Sequence, residues 1–396
     1  MSREQRDNLS GKAAIVGIGA TEFSKASGRS ELRLAIEAIR TALDDAGLTP
    51  GDVDGLTAFT METNPEVRVA GALGMKELTF FSRVHYGGGA PAATVQQAAM
   101  AVATGVADVV VCYRAFNERS GVRFGSGELS GVRWDTTEGT RYSWTVPHGL
   151  RTPASWIAMF AQRYLHKYGA TTEDFGRVAV ACRRHAANNP AAYFYKRPIT
   201  LADHQASRWV SEPLRLLDCC METDGGQALV VTSVARARDL KQKPAVIAAA
   251  AQGSGRQQEQ MTSYYRDDLT ELPEIAIVAR QLWRSSGLAP KDISTAVLYD
   301  HFTPFVLYQL EELGFCGRGE AKDFIKDGNI EIGGQLPVNT HGGLLGEAYL
   351  HGMNGIAEGV RQIRGVSCNQ VADAQNVLVT GGPAIPTSGL ILSQPS

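Results

Sequence analysis

The sequence has no excess of either charge, no CxxC pair and no long hydrophobic run. Lysine plus arginine number 39 against 41 acidic residues, a formal charge of -2, so no bulk field exists to hold nucleic acid or an anionic membrane. Any anionic ligand must be met by a local patch. The six cysteines, Cys112, Cys182, Cys219, Cys220, Cys316 and Cys368, form no regular framework. That fits reduced thiols in a cytosol, and no metal site is expected. The stretch Met1 to Lys12 is polar, and the first apolar run, Ala13 to Gly19, is far too short for a secretory core or a membrane span. The expected location is the cytoplasm.

What is present is a chain of 396 residues, 44% hydrophobic and 20% charged, long enough for two ordinary domains. Its clearest organising signal is a repeat of domain length. An apolar strand pattern beginning at Ala13 leads to a helical stretch, Leu32 to Ala46, and then to Gly47-Leu-Thr-Pro-Gly-Asp-Val-Asp-Gly-Leu-Thr-Ala-Phe. The second half repeats the order with Ala245-Val-Ile-Ala-Ala, a helix from Leu272 to Ser286, and Gly287-Leu-Ala-Pro-Lys-Asp-Ile-Ser-Thr-Ala-Val-Leu-Tyr. A second matching pair of blocks follows, each a glycine cluster, a small-residue helix, a glycine stop and an apolar strand. In the first half these are Gly87-Gly-Gly, Ala92 to Thr104, Gly105 and Val109 to Cys112; in the second, Gly342-Gly, a helix around His351 to Glu358, Gly359 and Asn376 to Thr380.

Each half is thus an α/β unit with mixed or parallel sheet, divided here as 1–242 and 243–396, and the small-faced helices can pack back to back in a buried layer. A stretch at about 113–200 has no partner in the second half and reads as an irregular, inserted loop domain. It mixes Arg114, Arg119, Arg123, Arg133, Arg141 and Arg151 with Trp134, Tyr142, Trp144 and Trp156. That composition suits gripping phosphates and covering a flat apolar ligand, or equally a solvated loop with aromatics tucked beneath it.

Three segments are more specific: Tyr168-Gly-Ala-Thr-Thr-Glu-Asp-Phe through Arg184-His-Ala-Ala-Asn-Asn-Pro-Ala-Ala; Leu216-Leu-Asp-Cys-Cys followed by Asp224-Gly-Gly-Gln-Ala; and Pro337-Val-Asn-Thr-His-Gly-Gly. With the duplication they make nearly the whole chain resemble the thiolase superfamily, in its sterol-carrier, lipid-transfer-protein branch. The resemblance implies a five-layered αβαβα fold. It also sets up four expected catalytic groups: a cysteine opening the buried first-half helix, an Asn or His in N-E-A-F or H-D-C-F, a histidine in G-H-P, and a second cysteine in C-x-G-G.

The sequence departs from all four. Counting back from Gly105 puts Gly88 at the nucleophile position, and the other motifs correspond to Tyr299-Asp300-His301-Phe302, Ala348-Tyr349-Leu350 and Val379-Thr380-Gly381-Gly382. No thiol is available where acyl transfer needs one. Tyrosine alone at such a place is ordinarily a packing residue. Tyrosines at both positions, with the glycine loops kept, point to a changed chemistry rather than an inactive relic.

The resemblance further implies that backbone N–H groups at Gly88 and Gly381 hold a thioester oxyanion or enolate. Carbon–carbon cleavage beside a thioester then needs only a proton relay, with Tyr299 and Tyr349 as its members. A free tyrosine has a pKa of about 10, so a phenolate at neutral pH costs roughly 4 kcal/mol unless neighbours lower it. His301, His341 and His351 lie beside the tyrosines in sequence and are the candidate tuners, each with a structural role as the alternative. Among thiolase homologues lacking the cysteine, the chain looks like the actinobacterial steroid side-chain-cleaving aldolases. That implies retro-aldol cleavage of a 17-hydroxy steroid bearing a 20-carboxyl-CoA side chain, giving a 17-ketosteroid (androstenedione) and propionyl-CoA.

The same resemblance implies a homodimer of this chain within a heteromeric complex, joined to an OB-fold and zinc-ribbon domain of a partner hydratase. No cofactor is expected beyond the CoA carried by the substrate. A non-catalytic acyl-CoA or lipid-binding subunit and a cysteine-free acyltransferase are the rival readings.

Overall fold

The computed structural model describes residues 9–121, 123–127 and 134–395. Arg133 and residues 1–8 of the polar N-terminal stretch lie outside them. The strands are β1 (Ala13–Ala20), β2 (Gly55–Phe59), β3 (Phe80–Val84), β4 (Val109–Asn117), β5 (Trp209–Ser211), β6 (Leu214–Arg215), β7 (Asp224–Ser233), β8 (Ala245–Gly253), β9 (Thr295–Val297), β10 (Asn376–Thr380) and β11 (Thr387–Ser393). Apart from the β5–β6 hairpin they form one hydrogen-bonded sheet in the order β3-β2-β4-β7-β1-β8-β11-β10-β9.

The repeat is visible in that order. From the centre outward, β1, β7, β4 and β2 pair antiparallel, antiparallel and parallel, and β8, β11, β10 and β9 pair in the same senses. Within the sheet the halves join where β1 pairs antiparallel with β8, Ala14 with Val246 and Ile15 with Ala245.

Helix Glu31–Ala46 shows how the sequence builds one layer. Leu34, Ala35, Ala38, Ile39, Ala42, Leu43 and Ala46 recur at three- and four-residue spacing and are all buried. The Ser30 side chain accepts from the Arg33 N–H at its start, and Gly47, at φ 74°, ends it. Its buried face lies on the first-half sheet, where a Cβ at Gly17 of β1 would stand 2.1 Å from the Ala42 carbonyl oxygen. Only glycine permits that approach. Leu34, Ile39 and Leu43 each contribute about 1.5–3 kcal/mol by their burial.

Three such cores give the αβαβα order. The first lies between helix Glu31–Ala46 and one face of the first-half sheet. The middle core joins strands of both halves through helices Pro91–Ala103 and Met353–Arg364. The third packs Ile275, Val278, Phe305 and Leu307 on the far face of the second-half strands.

Two sequence readings need correction. Gly359 does not stop a helix: helix Met353–Arg364 runs through it and ends at Gly365, at φ 76°. Gly359 instead sits on the sheet, where a Cβ would lie 3.1 Å from Leu392 and Val379 side-chain carbons. The stretch at 113–200 is also not irregular. It opens with the end of β4 and continues through helices Thr137–Thr145, Pro153–Tyr168 and Thr172–Asn188. Phe160, Tyr164, Phe175 and Val178 on these helices share a core with Phe305, Leu307 and Tyr308. The insert is therefore built into the outer layer of the second half. No described helix is long and apolar enough to cross a membrane.

Candidate active site

The site forms where the two halves present their glycine loops to each other. Gly87–Gly89 is a single turn entering helix Pro91–Ala103, preceded by Tyr86 in the left-handed region at φ 70°. Non-glycine residues hold that conformation at a cost, and sites of function are where it collects. Two hydrogen bonds staple this turn to the second half: Gly382 N–H to the Gly88 carbonyl at 2.6 Å, and Ser388 Oγ to the Gly89 carbonyl at 2.6 Å.

Tyr299 lies just beyond the C-terminal end of β9, with its backbone held from both sides. Its N–H donates to Thr380 Oγ1 at 3.0 Å and its carbonyl accepts from Gln309 Nε2 at 2.9 Å. The neighbouring Asp300 accepts the Leu344 N–H at 2.8 Å, which ties this segment to the Gly342-Gly343 loop. Tyr349 is fixed through Thr223, whose Oγ1 accepts its N–H at 2.9 Å and donates to its carbonyl at 3.2 Å.

These two frames bring the phenols together. Tyr299 Oη donates to Tyr349 Oη at 3.1 Å, and the side chains are 3% and 8% exposed. Each phenol can donate to or accept from the other, so the pair can pass a proton in either direction. A Cβ built at Gly88 would stand 2.2 Å from Tyr299 Oη, so the phenol occupies the space a side chain at 88 would fill. Burial pushes both phenols well above the ordinary tyrosine value, and both are neutral at physiological pH.

The thiols are equally unreactive. Burial raises Cys112 and Cys316 to about 12, and raises Cys182, Cys219, Cys220 and Cys368 as well. No thiolate stands ready to take over acyl transfer.

The other expected site residues divide. Gly88 has an N–H without a partner among the described residues, whereas the Gly381 N–H donates to the Ser388 carbonyl at 2.7 Å and is not free for a substrate oxygen. The strand register of β10 on β11 commits it. None of the three histidines hydrogen-bonds to a tyrosine. His341 Nε2 lies 3.9 Å from Glu347 Oε2. His351 meets Tyr349 only ring edge to ring face, at 5.2 Å, and accepts at Nδ1 from Arg114. His301 is packed among Tyr299, Phe302 and Phe305 with both ring nitrogens unpartnered.

Desolvation lowers His301 from the ordinary 6.5 to about 3. Its neutral form therefore supports folding above pH 6.5, and that support is lost as the pH falls from 6.5 toward 3, by about 1.4 kcal/mol per pH unit. Between pH 7.5 and 5.5 His301→Phe should lose less stability than the wild type in calorimetric unfolding. Parallel losses would show that His301 is not buried uncharged.

The arginines of the insert are mostly committed to protein partners. Arg114, 2% exposed, pairs with Glu62 in the interior and cannot grip a phosphate. Arg123 bonds Glu222, Arg141 bonds the Gln260 carbonyl, and Arg151 bonds the Gly127 carbonyl. Trp156 is buried with its Nε1 on the Leu150 carbonyl, while Trp134 and Trp144 are exposed. Sequence reading also missed Glu118, a buried carboxyl raised well above its ordinary value chiefly by desolvation, with Oε2 unpartnered. Ending β4 at Cys112 hid it. Carried to Asn117, the strand puts Glu118 at its C-terminal end, where α/β sheets place their sites.

This fold, with glycine and valine at the positions of the family's two catalytic cysteines, defines a class. Residues 13–234 match the family described as thiolase, N-terminal domain, and residues 253–394 the one described as thiolase C-terminal domain-like. The chain belongs to the thiolase family. It is 69% identical over 384 residues, 97% of this chain and all of the relative, to a 17-hydroxy-3-oxo-4-pregnene-20-carboxyl-CoA lyase of Mycobacterium tuberculosis. It is 67% identical, over 97% of this chain and 98% of the relative, to a steroid side-chain-cleaving aldolase of Thermomonospora curvata. A solved structure described as an Ltp2-ChsH2(DUF35) aldolase matches it with a TM-score of 0.93 at 66% identity, covering 98% of each chain.

Proposed function

We propose that the chain is an aldolase that cleaves the C17–C20 bond of a steroid carrying a C17 hydroxyl and a 20-carboxyl-CoA side chain. The observation that carries the reading is the Tyr299–Tyr349 hydroxyl pair, 3.1 Å apart, in the space where the family's nucleophile would stand.

The step balances without an added reagent. The C17 hydroxyl gives its proton to the phenol pair, and its electrons form the ketone as the C17–C20 bond breaks. The bond's electron pair becomes the thioester enolate. The pair, uncharged at the start, takes up the C17 hydroxyl proton only as it gives one of its own to C20, yielding a 17-ketosteroid and propionyl-CoA. Because one proton leaves and one arrives, neither phenol has to persist as a phenolate, whose burial would be costly. The reaction calls for no cofactor: CoA enters as part of the substrate.

The names of the relatives supply the substrate, and the described complex supplies the expectation of a partner. We read that partner as the OB-fold and zinc-ribbon domain of the hydratase that makes the substrate, added to a homodimer of this chain in the cytoplasm. β3 is an edge strand with Phe81 64% exposed, an open edge that a second copy can cover.

The test is to incubate the protein with the tertiary β-hydroxyacyl-CoA steroid, with and without the hydratase partner, and measure ketone and propionyl-CoA. Both products in equal amounts are expected. Stoichiometric binding without product, even with the partner, would mark a non-catalytic subunit. Label exchange from free CoA into an acyl-CoA would mark an acyltransferase.

A further inference from the structure

His351 is aimed at the glycine turn by a buried chain of polar groups that begins in the first half. Glu62 Oε2 accepts from Arg114 Nη1 at 2.9 Å and from the Ala115 N–H at 3.0 Å; Arg114 Nε donates to His351 Nδ1 at 3.1 Å. Glu62, Arg114 and His351 are each 3% exposed or less. A guanidinium has no acceptor, so Nδ1 must be the bare nitrogen and the imidazole proton sits on Nε2.

The ring is held in place as well as oriented. It stacks on Phe116 at 5.1 Å and 7° and on Phe59 at 5.8 Å, and its own backbone is in the left-handed region at φ 51°. Nε2 has no hydrogen-bond partner among the described residues. It faces the turn, where a Cβ at Gly87 would lie 3.3 Å from it. The next residue of that turn is Gly88, whose N–H is without a partner among the described residues.

We infer that His351 Nε2–H and the Gly88 N–H together hold the thioester oxygen as it becomes an enolate oxygen, and that Arg114 and Glu62 are positioning residues which set the histidine's tautomer. The inference rests on the reading that cleavage occurs beside a thioester. It supplies the second donor that the engaged Gly381 amide cannot. A neutral donor also suits an enolate that must be protonated at carbon, since an imidazolium would hold it as an ion pair.

The test separates this role from the steroid reaction. In deuterated water the protein should exchange the C2 hydrogens of propionyl-CoA, read by mass spectrometry, because exchange needs only enolate formation. His351→Phe keeps the stacked ring and removes the donor; His351→Gln restores an N–H. The phenylalanine variant should lose both exchange and kcat for cleavage by about a hundredfold, with KM little changed, and the glutamine variant should recover most of the loss. Nitrogen-15 spectra of the labelled histidines should show Nδ1 of His351 bare and Nε2 protonated, and Arg114→Met should mix the two tautomers.

A phenylalanine variant within threefold of wild type, a glutamine variant as poor as it, or the reverse tautomer in the wild type would each overturn the inference. Wild-type exchange without steroid cleavage would leave the donor role standing and remove the steroid assignment instead. If His351→Phe does not fold, the tautomer and the glutamine variant still decide.

Discussion

Tyr349→Phe should reduce cleavage by a hundredfold or more, as a loss of kcat rather than a rise in KM, with the thermal unfolding transition little moved. The side chain is held mainly by its backbone bonds to Thr223, so removing one oxygen leaves the ring in place. What disappears is one of the two hydroxyls that make up the pair. Tyr299→Phe should cost about as much, because Tyr349 then has no donor beside it to share the proton moving between O17 and C20. The double variant should be little worse than Tyr349→Phe alone, since two members of one relay do not fail additively. Propionyl-CoA release measured for all three settles the point; near-wild-type turnover in the single variants would remove the tyrosines from the mechanism.

Gly88→Ala should be as damaging for a steric reason. The added carbon would lie 2.2 Å from Tyr299 Oη and 2.6 Å from Tyr299 Cζ, closer than side chains ever approach. Tyr299 cannot simply retreat, because Thr380 and Gln309 hold its backbone and Tyr349 lies against its hydroxyl. The phenol or the glycine turn must move, and either displacement misplaces the relay and the Gly88 donor. Cleavage should fall by a hundredfold or more, since about an ångström of misplacement suffices for that. Gly88→Cys should behave alike and gain no exchange of labelled CoA, because its thiol would point into the phenol. Retention of more than a tenth of the activity by Gly88→Ala would mean that the contact is not part of the working site.

How far the sequence disclosed this site can be followed residue by residue. The repeat was legible because its signals are local: a helix period, a glycine after the last turn, an apolar strand. Those signals placed helix Glu31–Ala46 within one residue and β10 at its full length. They failed at Gly359, where a glycine needed for packing on Leu392 looked like one needed for a positive φ. The two tyrosines were found by aligning motifs, yet their mutual contact is tertiary and no spacing encodes it. Arg114 was misread for a related reason. A surface arginine and one buried against Glu62, 52 residues away in the chain, look alike in composition. Glu118 was lost through a strand boundary, and the Gly381 amide through a cross-strand bond to Ser388 that only the pairing of β10 with β11 reveals.

The glycine turn belongs to one copy of the duplicated unit and both tyrosines to the other, with the stapling bonds from Gly382 and Ser388 between them. Neither copy can therefore be swapped, recombined or drift in sequence by itself. A core substitution that slides one half by a fraction of an ångström is registered at once as a gap or a collision between Gly88 and Tyr299. That contact acts as a gauge of how the halves are seated. Inheritance must keep the two halves as a matched set, even where their surfaces are free to diverge.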